Sequence, residues 1–209
     1  MLGDITGMQL VTVLVSILIG LSIHEAMHAF VAHWLGDDTA YHEGRLTLNP
    51  LAHIDVATTI LLPMVMIIAG LPPILAARPV PFNPSAVKWG DYGAALVGIC
   101  GPFTNLGLAI ISGTVFKLVA GDVSGFVYNA LIIFTEINVM FFVFNMIPIP
   151  PLDGSRLLYA FAPDPVRKFM EQIEAMGFFS ILIIFFLVFA FFSGPIIEVQ
   201  QSIIKAILL

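Results

Sequence analysis

Five stretches of this chain are each about 20 residues or longer and almost wholly apolar: Met8 to Leu35, Val56 to Ala76, Tyr92 to Phe116, Phe126 to Ile147 and Ala175 to Ile197. That length matches the hydrocarbon thickness of a bilayer, where only a segment that satisfies its own backbone can cross. Of the 209 residues 59% are hydrophobic and 11% charged. A soluble globule of this size cannot hide so much apolar surface, because its skin must stay polar. The composition therefore excludes a cytosolic enzyme and a disordered tail. A net charge of −6 also excludes a nucleic-acid partner, which would need a basic surface. The single cysteine, Cys100, excludes a disulfide framework and a multi-thiolate metal site. The expectation is an all-α polytopic protein of the lipid bilayer, a single membrane-embedded domain over 1–209. No basic residue precedes the first apolar run, so it does not read as a cleavable signal peptide.

The first run carries His24-Glu25-Ala26-Met27-His28. Histidines four apart share one helix face and can grip a tetrahedral Zn²⁺, with the glutamate beside the water that such a metal polarises. By chance the pattern is common in soluble chains. Inside a lipid-embedded helix three ionisable groups are too costly to be packing alone. Catalytic zinc takes three protein ligands and leaves a fourth position open. Cys100, His33, His42 and His53 are candidates for the third, but a buried thiol is usually a small hydrophobe. His33 lies off the metal-binding face and marks the helix end, while His42 and His53 flank a polar loop and read as surface or supporting groups. Asp153 is the best candidate, since it follows Pro148-Ile-Pro150-Pro151, which breaks the fourth run at membrane depth.

His24 to His28 on an apolar helix, followed by Asn145 to Gly154 with its Leu-Asp-Gly, resembles the site-2 protease family of intramembrane zinc metalloproteases. The stretches Gly36 to Ala40, Gly44 to Pro50, Pro79 to Pro84 and Gly101 to Asn105 resemble its compact bacterial and archaeal branch, which lacks PDZ and CBS modules. The resemblance implies that His24, His28 and Asp153 bind one zinc and that Glu25 is the general base. Asn145 would steady the scissile carbonyl or the developing oxyanion. It implies an endopeptidase acting on transmembrane protein or peptide substrates. The chain departs from the family at Val56-Ala57-Thr58, where relatives commonly have proline and glycine, and at Ser155, where many have a second glycine. Neither position is a ligand. The alternative is a catalytically silent relative that binds membrane helices, whose mark would be loss of a ligand or of the base. A metal transporter would need ligands repeated along a path. Oligomeric state, substrate identity and cleavage position stay open.

If both the second and third runs crossed, Asp153 would emerge opposite the histidines. The second, interrupted by Pro63, Gly70, Pro72 and Pro73, is therefore expected to be re-entrant. Arg78 to Pro84 fits a short edge strand that could pair with an extended substrate. The tail from Val199 to Leu209 reads as an interfacial helix carrying Lys205. The expected architecture is thus about four spanning helices, a re-entrant segment, an edge strand and a C-terminal interfacial helix. Arg45, Arg78, Lys88, Arg156, Arg167 and Lys168 then share one side, six of the eight basic residues, so the site should open toward the cytoplasm of a cell-membrane protein. Asn138 is expected to bond between helices and Asn105 to support a ligand histidine. Glu136, out of phase with Asn145, is expected to point away from the metal.

Overall fold

The structure is a computed structural model that describes residues 7–53, 80–119 and 124–209. In chain order its helices are α1 (Gly7–Trp34), α2 (Thr39–His42), a 3-10 turn (Pro50–Ala52), α3 (Asp91–Val119), α4 (Gly125–Asn145), α5 (Gly154–Tyr159), α6 (Asp164–Ala175) and α7 (Phe178–Leu208). Of these, α1, α3 and α4 are long and apolar enough to cross a membrane. A fourth candidate is α6 taken with the start of α7, a pair bent by 110°.

The three long helices pack through small residues. Ala26, Ala29 and Ala32 of α1 and Ala109 of α3 are fully buried, and Ala94 and Ala95 nearly so. Lipid gives helices no hydrophobic reason to associate, so close backbone approach and the dispersion it brings hold them together. Contacts fix their directions. His28 meets Val97, Asn105 meets Gly20 and Asn138, and the Ser112 hydroxyl donates to the Leu131 carbonyl. Helix α3 is therefore antiparallel to both α1 and α4, which run parallel to each other. Asp153, just beyond α4, lies at the same end as the histidines.

Helix α1 stops in a Schellman turn. The Gly36 N–H donates to the His33 carbonyl and the Asp37 N–H to the Ala32 carbonyl, with Gly36 at φ 102°. A side chain is strained there, and glycine is not. The turn buries Asp37, whose carboxylate accepts from the Thr39 hydroxyl and N–H and, at 2.6 Å, from the Asn83 N–H. Lys88 N–H reaches the Leu35 carbonyl at 2.9 Å. The stretch 35–90 thus starts and finishes at one end of the bundle, as a re-entrant segment requires. The expected hairpin, Val56 to Ala76, lies outside the described residues.

Two expectations are corrected. No strand occurs among the described residues 80–84, because a ladder needs a neighbouring strand and these residues instead give single N–H groups to side chains. The tail is not a separate interfacial helix but the last turns of the 31-residue α7, which continues through Pro195. Ile203, Ile204 and Ile207 pack on Ala109, Val139 and Val143, and burial of that stripe carries the helix past the polar Gln200, Gln201 and Ser202.

Candidate metal centre

One helix and one loop converge on a single point. His24 Nε2 and His28 Nε2 are 3.1 Å apart, and Asp153 Oδ2 lies 2.9 Å from the first and 3.4 Å from the second. Donors about 2.0–2.2 Å from a tetrahedral zinc lie about 3.3 Å from one another, so the set fits such an ion. Asp153 reaches the histidines because the chain folds back over the end of α4. At Gly154 it presses so closely on the Met146 and Ile147 carbonyls that a Cβ would overlap them.

Hydrogen bonds behind the histidines decide which ring nitrogen is free. The Asn138 side chain donates to the Phe134 carbonyl at 2.8 Å, so its oxygen faces Asn105. Asn105 uses both amide protons, one on Asn138 Oδ1 at 2.9 Å and one on the Gly20 carbonyl at 3.1 Å. Its own oxygen can then only accept, and it takes the His24 Nδ1 proton at 2.6 Å. His28 Nδ1 faces the Val97 carbonyl at 2.6 Å, another pure acceptor. Both Nδ1 atoms therefore carry hydrogen, and both Nε2 atoms present lone pairs. Two lone pairs and a carboxylate oxygen within 3.4 Å repel unless a cation lies among them. A carboxylate oxygen of Asp153 beside the two lone pairs completes a donor set for one divalent cation.

Beside the three ligands lies a cavity of about 370 Å³. Glu25, Asn145, Val80, Phe82 and Arg156 line it, with Phe144 of α4 and Phe185 of α7. Glu25, half-buried, accepts the Val80 N–H at 3.1 Å. Asn145 donates to the Phe141 carbonyl at 3.1 Å, which leaves its amide oxygen and second proton to the cavity. All five sequence-predicted site residues therefore share one cavity wall.

The other candidates fall elsewhere. His33 is exposed and pairs with Asp38 at 2.6 Å, and His42 is exposed beside Tyr41. His53 is buried rather than superficial, its Nε2 bonded to the Thr47 carbonyl. Cys100 Sγ sits 3.7 Å from His28 Nδ1, behind the ring and away from the metal position. Glu136 is exposed on α4 and does not line the cavity. Sequence reasoning missed the Val97 carbonyl, which has no residue-type signal, and missed Arg156. It gave no role to the absent side chain of Gly101, where a Cβ would lie 2.5 Å from His28 Nε2.

Comparison with known proteins gives a Bacillus subtilis relative named "Putative zinc metalloprotease YwhC", 38% identical over 180 residues, covering 82% of this chain and 78% of the relative. "Putative zinc metalloprotease Rip2" of Mycobacterium tuberculosis is 26% identical over 178 residues, 84% of this chain and 66% of its own length. A protein of the latter name from Mycolicibacterium smegmatis is 25% identical over 172 residues, 80% of this chain and 63% of its own. No family model matches the chain, and no solved structure does.

Proposed function

The chain belongs to the site-2 protease family of zinc metalloproteases, and from that premise we propose that it is an endopeptidase cutting peptide bonds of transmembrane proteins within the bilayer. The observation that carries this reading is the pair of Nε2 lone pairs fixed by Asn105 and Val97 and completed by Asp153, with Glu25 on the same cavity wall. A zinc ion held by His24, His28 and Asp153 supplies Lewis acidity toward water and toward an amide carbonyl. Glu25 takes the proton of the attacking water and returns it to the leaving nitrogen. Asn145 offers its free amide proton to the carbonyl oxygen as charge develops there. The silent-relative alternative would be marked by loss of a ligand or of the base, and this chain carries His24, Glu25, His28 and Asp153.

A helical amide is shielded by its own hydrogen bond, so the substrate must unwind to be cut. Val80 and Phe82 line the cavity wall, where an unwound segment would lie beside Glu25 and Asn145. Water enters from the end where Asp153 keeps 25% of its side chain exposed. That end carries Arg45, Lys88, Arg156, Arg167 and Lys168, five of the seven described basic residues, while Lys117 and Lys205 lie at the other. By the positive-inside rule the site faces the cytoplasm.

The test compares membrane proteomes of cells carrying the parent chain and Glu25→Gln. A truncated membrane protein that appears only with the parent supports the reading. Equal fragments in both, with each protein holding one zinc, would show that the base lies elsewhere.

A further inference from the structure

Among the described residues lining the cavity, one is a permanent cation, Arg156, and the chemistry above gives it no task. It lies one helical turn beyond Asp153. Its stem fills the notch left by Gly98, where a Cβ would come within 2.6 Å of the Arg156 Cβ. Its guanidinium carbon stands 5.4 Å from the Phe82 ring centroid and 5.3 Å from that of Tyr159. Burial and the neighbouring Glu174 push the Tyr159 hydroxyl up to about 12, so the ring stays a neutral phenol. Two aromatic faces thus hold the guanidinium, and its planar fork is set before anything binds.

The existing partner uses little of that fork. Nη2 donates to Glu174 Oε2 at 3.2 Å, and no other hydrogen bond of the Arg156 side chain occurs among the described residues. The two side chains are 28% and 25% exposed and joined by one bond, and Glu174 Oε1 is buried without a hydrogen-bond partner among the described residues, so Glu174 is itself poorly held. A carboxylate that accepts two parallel N–H bonds from the fork is held better than Glu174 is held by one. A basic group at the same place would meet the Arg156 charge.

Resting on the protease reading, we propose that Arg156 is a specificity determinant: it receives an acidic side chain of the segment being cut, in exchange for Glu174. Residues three apart on a helix have Cβ atoms about 5–6 Å apart, and an extended substrate advances about 3.3 Å per residue. The acidic residue therefore lies within about three positions of the scissile bond.

The probe is a set of synthetic single-span peptides with a Gly-Gly break, bearing one Asp or one Asn at successive positions around it. The full chain, zinc-loaded in detergent, is given each peptide, and cuts are followed by mass spectrometry. Asp within three positions should raise kcat/KM about 10–100-fold over Asn, mostly through KM. Arg156→Gln should bring that ratio close to one, and Glu174→Gln, which frees the fork, should raise it. An Asp-to-Asn ratio near one in the parent chain, or a ratio unmoved by both variants, overturns the proposal. Binding of the same peptides, labelled, to Glu25→Gln protein separates this failure from failure of the protease reading. Tighter binding of Asp peptides without any cleavage by the parent supports the Arg156 site and counts against the hydrolase. Equal binding counts against Arg156 whatever the turnover.

Discussion

Gly101→Ala is the smallest change that should disable the metal centre without touching a ligand. The added methyl would lie 2.5 Å from His28 Nε2, 2.7 Å from His28 Cε1 and 2.8 Å from His24 Cε1. Ordinary contacts of that kind are about 3.5–4.0 Å, so the rings must retreat by roughly an ångström. They cannot do so freely, since His24 Nδ1 is held on Asn105 at 2.6 Å and His28 Nδ1 on the Val97 carbonyl at 2.6 Å. A displacement near 1 Å costs about 100-fold in a positioned reaction, and misplaced ligands cost about 10–100-fold in metal affinity. Zinc retained against a graded chelator, together with cleavage of a model peptide, measures both. Gly107→Ala on the same helix is the control, because a methyl there meets nothing within 4 Å. Parental zinc affinity and rate in Gly101→Ala would refute the reasoning. So would equal losses in both variants, which would point to a general effect on α3.

Asn105→Ala removes the acceptor that fixes the His24 tautomer along with two bonds to neighbouring helices, and should cost about 10–100-fold in zinc affinity. Titration with a competing chelator reads it, and Asn105→Asp, which keeps an acceptor, should recover part of the loss. Glu25→Gln should keep one zinc per chain while cleavage falls below detection, checked by metal analysis on the protein used for the assay. Asp37 is held below its ordinary value of 3.8: burial opposes this, and the bonds from Thr39 and Asn83 outweigh it. A depressed folded value means that its contribution is fully present above about pH 4 and is lost as pH falls through the lower folded value. The protection factor of the Asn83 amide, measured against the intrinsic exchange rate at each pH, should therefore stay high at neutral pH and fall only in acid. Asp37→Asn should lower it at neutral pH, with about 1–3 kcal/mol of local protection lost, and match the parent in acid.

What was legible in the sequence is what depends on spacing and on cost. His24, Glu25 and His28 were legible because three ionisable groups in an apolar helix need a reason. Asp153 was legible because prolines present it from broken backbone. The parallel course of α1 and α4 followed from requiring those ligands to meet at one depth. The continuity of α7 was hidden because the apolar run ends at Ile197, ahead of the polar Glu198, Gln200 and Gln201, whereas what decides the matter is the stripe Ile203, Ile204 and Ile207, whose partners lie on α3 and α4. An edge strand over 80–84 depends on a neighbour that the sequence cannot supply. The burial of His53 and the Val97 carbonyl behind His28 are tertiary facts with no local pattern. Arg156 was counted only as one charge of eight, since nothing along the chain places it between Phe82 and Tyr159.

The most direct measurement is zinc X-ray absorption on the purified, unsubstituted chain at one metal per protein. Two imidazole nitrogens at about 2.0–2.1 Å and a carboxylate oxygen at about 2.0–2.2 Å, with the oxygen lost in Asp153→Ala, are the predicted result. A sulfur neighbour at about 2.3 Å from Cys100, or no zinc retained at all, would contradict the account.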